Sequence, residues 1–358
     1  MKKIEVKKLK VGLYNPFLDT LGGGEKHILS IIDVLVDNGA EATVFWNKNL
    51  SQDLEKRFSL QCFKTLKWLP VSLISSSLVA MQTLKSFDLF FYVSNGSYFF
   101  STAKNNFVFC MVPDKKLYNL NLINKIKLRN YKFISNSPYT TKWLKNWNID
   151  PITITPYIDN QLKPGKKEKI ILSVGRFFPH LHNKNQIKII ETFKKLKNKY
   201  HEFFDYTLIL VGGLKDEDKE YFKHLKSLSD DASIIFKPNI SLDELHKFYG
   251  LSTYYWHFTG LGVDEKNHPD LVEHFGIAPL EATVAGCVVL CHNSGGPKEI
   301  FTNEENGVLF ENEKDLIKSM KKLEDKPPLK NKIVSNGIKL AKNKYNYQLF
   351  KNKVLALV

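Results

Sequence analysis

The sequence predicts an α/β protein with two Rossmann-like, doubly wound domains facing a central cleft, and three observations carry that expectation. The first is length. At 358 residues the chain exceeds the usual size of a single core, so two domains of about 150–200 residues are expected. The second is alternation: short apolar runs of strand length alternate with amphipathic stretches of helix length in both halves. The third is punctuation. Glycines close several apolar runs just where a helix begins, and open α/β sheets place their ligand loops there.

In the first half a strand at Lys10–Tyr14 leads through Gly22-Gly23-Gly24 into an amphipathic helix at Glu25–Asp37, and a second strand follows at Ala42–Trp46, which makes a βαβ unit. Further strands are expected at Leu89–Val93 and Asn106–Met111. Phe133–Ser135 precedes a helix from Pro138 to Trp147, and Ile152–Thr155 ends this half. The turn-rich, basic Lys163-Pro164-Gly165-Lys166-Lys167 marks the junction, giving an N-terminal domain over 1–162 and a C-terminal domain over 163–342. The second series runs through strands at Lys169–Val174, Tyr206–Val211, Ile234–Phe236, Thr253–Phe258 and Val288–Cys291. Its helices are expected at Gln186–Lys199, Asp218–Ser229, Ser241–Gly250, Pro279–Ala285 and Pro297–Thr302. A closing helix at Tyr347–Leu357, within 343–358, is expected to pack back on the first domain.

Composition narrows the class. Hydrophobic residues make up 43% and charged residues 25%, which is ordinary for a folded soluble protein. No apolar run approaches the roughly 18–20 residues that span a bilayer, and Met1-Lys2-Lys3 leads into an alternation with charge rather than a signal core. Cys62, Cys110, Cys287 and Cys291 lack paired or zinc-like spacing, so a cytosolic address is expected. The net charge is +15, and by count roughly +9 of it falls in residues 1–160. Such a surface attracts anionic leaflets as well as nucleic acid. No aromatic-basic nucleic-acid module is present, so no nucleic-acid partner is expected, while an anionic membrane surface is.

Four constellations fall at strand-to-helix loops. Gly22-Gly23-Gly24-Glu25 lets backbone approach a phosphate or sugar, although it lacks dinucleotide-fingerprint spacing. Arg176, one of only three arginines, follows a strand-ending Gly175, and Lys184 comes eight residues later; a guanidinium fork matches phosphate oxygens. His180 and His182 in that loop read as exposed loop residues. Glu273-His274-Phe275-Gly276-Ile277-Ala278-Pro279-Leu280-Glu281 places a Gly turn before a helix, with Pro279 suited to its first position. The turn's N–H groups form an anion site, Glu281 falls on the first helical turn, and Glu273 sits ahead of the loop. Ser294-Gly295-Gly296-Pro297-Lys298-Glu299 repeats the pattern as a second expected anion cradle. A pair of carboxylates beside a phosphate site suits a nucleotide-sugar, which carries a diphosphate, a ribose and a hexose.

The order GGGE, GR…K, EHFGIAPLEA, SGGPKEI and NGVLF (306–310) resembles the retaining glycosyltransferases of family four, which have the GT-B fold. The resemblance spans nearly the whole chain. Ser135-Asn136-Ser137 with Thr140, Pro156-Tyr157-Ile158-Asp159, and Tyr254–Gly262 match looser family patterns, and EHFGI also resembles mannosyltransferases that extend lipid-linked oligosaccharides. The resemblance implies that Arg176 and Lys184 hold the diphosphate, Glu281 the ribose, and Glu273 the donor sugar or its leaving oxygen. It further implies backbone contacts from Phe275, Gly276 and Ile277, closure over the diphosphate by Gly23 and Gly24, and Lys237-Pro238-Asn239 near the base. Many relatives place a His two residues before a Pro in the first domain, whereas this chain has Met111 before Val112-Pro113. A thioether cannot usefully bond a sugar hydroxyl.

The function expected is therefore α-retaining transfer of a hexose from a UDP- or GDP-linked sugar to a glycan or lipid-linked hydroxyl. The substitution would occur on one face of the sugar, with cations and helix N-termini neutralising the departing diphosphate. No metal or other cofactor is expected. The competing expectation is a catalytically silent relative that binds nucleotide as a scaffold subunit, and Met111 is its main support.

Overall fold

Two all-parallel sheets organise the chain. The computed structural model describes residues 9–74, 77–159, 161–180, 183–229 and 232–358; the Lys-rich start through residue 8 and His182 lie outside the described residues. The chain divides into two compact units, Met1–Pro156 with Gln348–Val358, and Tyr157–Tyr347.

The first unit contains β1 (Lys10–Tyr14), β2 (Glu41–Phe45), β3 (Lys67–Leu69), β4 (Leu89–Val93), β5 (Asn105–Cys110), β6 (Tyr131–Ser135) and β7 (Pro151–Thr153), in the spatial order 3-2-1-4-5-6-7. Its helices are α1 (Gly23–Asp37), α2 (Ser51–Phe58), α3 (Ser77–Leu84), α4 (Leu122–Leu128) and α5 (Pro138–Asn146). Both faces of the central strands are covered, which explains their near-continuous apolar sequence. Phe90, Tyr92, Val108 and Cys110 pack on one side with Phe45, while Phe91 and Phe107 stack on each other at 5.0 Å. Enclosing each such ring contributes roughly 1.5–3 kcal/mol. The order of strands reverses between β1 and β4, so the loop after β1, which carries Gly22–Gly24, opens at a topological switch point.

The second unit repeats the plan with β8 (Glu168–Val174), β9 (Thr207–Gly212), β10 (Ile234–Pro238), β11 (Ser252–His257), β12 (Val288–His292) and β13 (Val308–Phe310), ordered 10-9-8-11-12-13. Around them lie α6 (Gln186–Lys199), α7 (Lys219–Ser227), α8 (Leu242–Leu251), α9 (Ile277–Val284), α10 (Pro297–Ile300), α11 (Glu313–Asp325) and α12 (Pro327–Lys344). Ile171 joins a cluster with Ile189, Leu208 and Trp256, whereas its neighbours Ile170 and Leu172 join the opposite cluster with Tyr249 and Leu280. That alternation is the period-2 signature of a strand enclosed on both faces. The terminal helix α13 (Tyr347–Leu355) begins at the last residue of this unit and continues in the first.

Three expectations need correction. Helix α9 starts at Ile277 with Gly276 as its N-cap, so Pro279 is its third residue and Glu281 lies on its second turn. Pro279 is tolerated there because the third N–H also lacks an intrahelical acceptor. Elements α2, β3, α3 and α4 in the first unit, and β13, α11 and α12 in the second, were not assigned from the sequence.

Candidate active site

The loops after β8 and β11 build a charged pair. Gly175 ends the exit from β8, and a Cβ on it would collide with Cγ of Lys184. The absent side chain lets the Lys184 stem cross the backbone, and its Nζ donates to Glu273 Oε2 at 2.7 Å. The Arg176–Gln186 loop is pinned at both ends. Gln186 Nε2 donates to the Arg176 carbonyl at 2.8 Å, and Asn185 Nδ2 donates to the Phe258 carbonyl at 2.9 Å. Asn185, at φ 54°, caps α6 from the left-handed region that Asn tolerates. Gly212, the last residue of β9, completes the arrangement, because a Cβ there would strike the Gly175 carbonyl.

The Glu273 backbone is held from below. Gly296 N–H donates to the Glu273 carbonyl at 2.7 Å. Gly295, at φ 57°, passes so close that a Cβ would overlap the same oxygen. This overturns the expectation of a second anion cradle at Ser294–Glu299. The Gly296 donor is spent on Glu273, while Gly295 N–H meets Glu265 Oε2 at 3.3 Å and Lys298 Nζ holds Glu265 Oε1 at 2.5 Å. The double glycine exists to let the turn pass beneath Glu273.

His257, at the end of β11, is buried, and its Nε2 lies 3.0 Å from Glu273 Oε2. Beyond that contact, Nε2 has no hydrogen-bond partner among the described residues. Burial raises the Glu273 carboxyl, but Lys184 and His257 outweigh it and hold the group well below the usual carboxylate range. Burial lowers His257, with Glu273 partly opposing and Lys184 adding to the fall, so the ring is neutral near neutral pH. The site therefore presents an ionised carboxylate beside an ammonium. The pair is about one-fifth exposed, and hydrogen bonds to charged groups contribute about 1.5–3 kcal/mol.

Next to Glu273 the chain turns through Gly276 at φ 105° into α9. Among the described residues no protein acceptor meets the backbone N–H of Phe275, Gly276 or Ile277, so these donors and the helix dipole converge on one end of α9. Glu281 on α9 accepts from Tyr249 Oη at 3.1 Å. The structure thus gathers Lys184, Glu273 and the Phe275–Ile277 turn. Arg176 starts the same loop as Lys184 but is exposed, with its guanidinium 5.3 Å from the Phe178 ring and no contact with the pair among the described residues.

Residues Lys237-Pro238-Asn239 lie at the end of edge strand β10. Asn239, at φ 54°, spends its amide on Leu214, accepting from N–H at 2.8 Å and donating to the carbonyl at 2.9 Å. Lys237 Nζ lies 3.6 Å from Glu244. In the first unit Gly23 and Gly24 open α1. Glu25 Oε2 accepts from Gly22 N–H at 2.9 Å and from Thr20 Oγ1 at 2.6 Å. A Cβ on Gly24 would overlap Met111 Sδ, so that glycine makes room for the residue standing where many relatives have His. Sequence reasoning assigned no role to His257; the available signal was a histidine ending the apolar run Tyr254-Tyr255-Trp256. Among the described residues no group of three or more His, Cys, Asp or Glu is arranged to hold a metal ion.

A doubly wound pair of units with this loop chemistry defines the GT-B class of α/β folds, and solved structures agree. Anabaena HepE in complex with UDP superimposes with TM-score 0.73 at 15% identity, covering 97% of this chain and 98% of that one. A glycosyltransferase from Rickettsia africae gives 0.72 at 17% identity, covering 98% of each. Residues 155–340, more than half of the chain, match the family model described as glycosyl transferases group 1. The chain belongs to that family. The mouse GDP-Man:Man(3)GlcNAc(2)-PP-Dol alpha-1,2-mannosyltransferase is 34% identical over 176 residues, 46% of this chain and 32% of the mouse protein. The Dictyostelium discoideum alpha-1,3/1,6-mannosyltransferase ALG2 is 24% identical over 272 residues, 68% of this chain and 60% of its own. The chain thus spans about a third of the length of the mouse relative.

Proposed function

We propose that this protein is a retaining hexosyltransferase that moves a sugar from a nucleoside diphosphate to a hydroxyl of a glycan or lipid-linked acceptor with α stereochemistry. The observation that carries the reading is the Lys184–Glu273 pair beside the N–H groups of Phe275–Ile277, which meet no acceptor among the described residues. Lys184 spends one N–H on Glu273 and keeps two for diphosphate oxygens. Arg176, exposed at the start of the same loop, swings from Phe178 onto the phosphates. Ionised Glu273 cannot act as an acid; it accepts from a sugar hydroxyl and offsets the positive charge of an oxocarbenium-like state. The acceptor oxygen attacks on the face from which the diphosphate leaves, and the departing phosphate takes the proton. Fixed cations and amide donors stabilise that charge with little reorganisation. Glu281 is assigned to the ribose, Lys237-Pro238-Asn239 to the base, and Gly23-Gly24 to the donor phosphates. No metal takes part in this scheme.

Between UDP and GDP, the name of the mouse relative, which carries GDP-Man and a PP-Dol-linked glycan, favours GDP-mannose and a lipid-linked acceptor. We place the protein in the cytoplasm, on an anionic membrane surface. Among the described residues no helix is long and apolar enough to cross a membrane. Met111 supports a second reading, in which the protein binds nucleotide without transfer. A thermal-shift screen of UDP, GDP and their sugar conjugates, followed by product analysis, separates the two. A shift with sugar release or transfer supports the enzyme, a shift without turnover the silent relative, and no shift removes both.

A further inference from the structure

The first unit carries an apolar surface that its core does not use. On α4, Leu122, Ile123 and Ile126 are 80%, 64% and 56% exposed, while Leu128 is buried. At 3.6 residues per turn, positions 122, 123 and 126 form one stripe opposite Leu128. Lys125 and Arg129 run along one edge of the stripe and Lys127 along the other. On α3, Leu78 is 83% exposed. Both helices border segment 97–103: Thr102 Oγ1 donates to the Met81 carbonyl, Lys127 Nζ to the Tyr98 carbonyl at 2.8 Å, and Asn130 Nδ2 to the Ser101 carbonyl at 2.9 Å.

Charge singles out what covers this face. From Lys115 to Ile149 the sequence has eight basic residues and no acidic one, and Lys115, Lys116, Lys125 and Arg129 are exposed. A second copy would bring like charges together. Single-stranded nucleic acid is held by stacking on aromatic rings, and this stripe is aliphatic. An anionic bilayer accepts both features: aliphatic side chains enter the headgroup region while Lys and Arg reach lipid phosphates.

We propose that α4 docks the first unit on an anionic bilayer. Leu122, Ile123 and Ile126 enter the interface, and the exposed Lys125 and Arg129 pair with lipid phosphates. The purpose of docking rests on the lipid-linked acceptor proposed above, but the test reads binding and not turnover. The chain is sedimented with sucrose-loaded vesicles of phosphatidylcholine, alone or mixed with phosphatidylglycerol, as wild type and as the triple variant Leu122→Asn, Ile123→Asn, Ile126→Asn. The expected result is salt-sensitive binding of the wild type to the anionic vesicles only. The variant should bind at least about tenfold more weakly, with unchanged melting temperature and nucleotide binding. Equal binding of both proteins to anionic vesicles overturns the proposal. So does a wild-type dimer that the variant breaks, or a wild-type preference for an oligonucleotide over the vesicles. Docking without sugar transfer leaves this proposal standing and removes the enzyme; transfer to a soluble acceptor without vesicle binding does the reverse.

Discussion

In the second unit Gly175 makes room for a lysine stem on its way to Glu273, whereas in the first Gly24 makes room for the thioether of Met111. Both glycines follow a strand at a switch point, and both read from sequence as phosphate loops. One close approach assembles a charged pair that can act on a ligand. The other fills a gap with an apolar side chain. Histidines divide in the same way. His257 sits against a carboxylate and near an ammonium, while His27 on α1 lies between Phe109 and Phe350 with neither ring nitrogen hydrogen-bonded among the described residues. Glycine and histidine therefore take their meaning from the partner that fills the space beside them.

The largest expected effects lie at the second unit's site. Lys184→Met removes the counter-charge of Glu273 and a phosphate donor together. Turnover should fall by about 10²–10³, or about 2.7–4 kcal/mol, and the acid limb of the pH–rate profile should move upward as the Glu273 pKa rises. An unmoved profile would show that Glu273 is not held by Lys184. Arg176→Ala should cost roughly 3–4 kcal/mol of barrier by the same reasoning; near-normal steady-state rates would remove Arg176 from the diphosphate.

The first unit should respond in stability. Burial holds His27 down at about 3, against an ordinary 6.5. Below 6.5 the unfolded chain takes up a proton that the folded state refuses. Stability is therefore complete above 6.5 and declines as pH falls toward about 3, at most about 1.4 kcal/mol per pH unit. Urea midpoints at about pH 7 and about pH 5 should show a loss roughly 2 kcal/mol larger in wild type than in His27→Leu; parallel losses would place the sensitivity elsewhere. The smallest effect sharpens the glycine comparison. Gly24→Ala overpacks Met111 and should cost about 1–3 kcal/mol, with Met111→Ala restoring the melting temperature. If Gly24 also serves donor phosphates, the double variant recovers stability but not donor affinity.

The sheets were legible because strands enclosed on both faces read as unbroken apolar runs, as Leu89–Val93 does. Helix α12 was not, because the residues it buries, Ile333, Gly337 and Ala341, are mostly small. Gly337 lies against Thr283 and the Asn306 carbonyl, a close approach with no hydrophobic signal. Exposed α4 was missed for the opposite reason: its apolar stripe faces outward. Within the site, Glu273 and the Gly276 turn could be read from the loop pattern, and Lys184 from the resemblance to the family. The work of Gly295 and Gly296 could not, because the carbonyl they pass belongs to Glu273, more than twenty residues earlier.

The most direct test is thermal unfolding of wild type and Glu273→Gln with GDP, UDP and their sugar conjugates, followed by NMR of any product. A ligand at a hundred times its dissociation constant adds about 2.7 kcal/mol to the folded state, a shift of several degrees for units of this size. The account predicts stabilisation of wild type by one diphosphate and its sugar, with α-configured product, and little product from Glu273→Gln. Stabilisation and turnover unchanged by Glu273→Gln, or β-configured product, would contradict it.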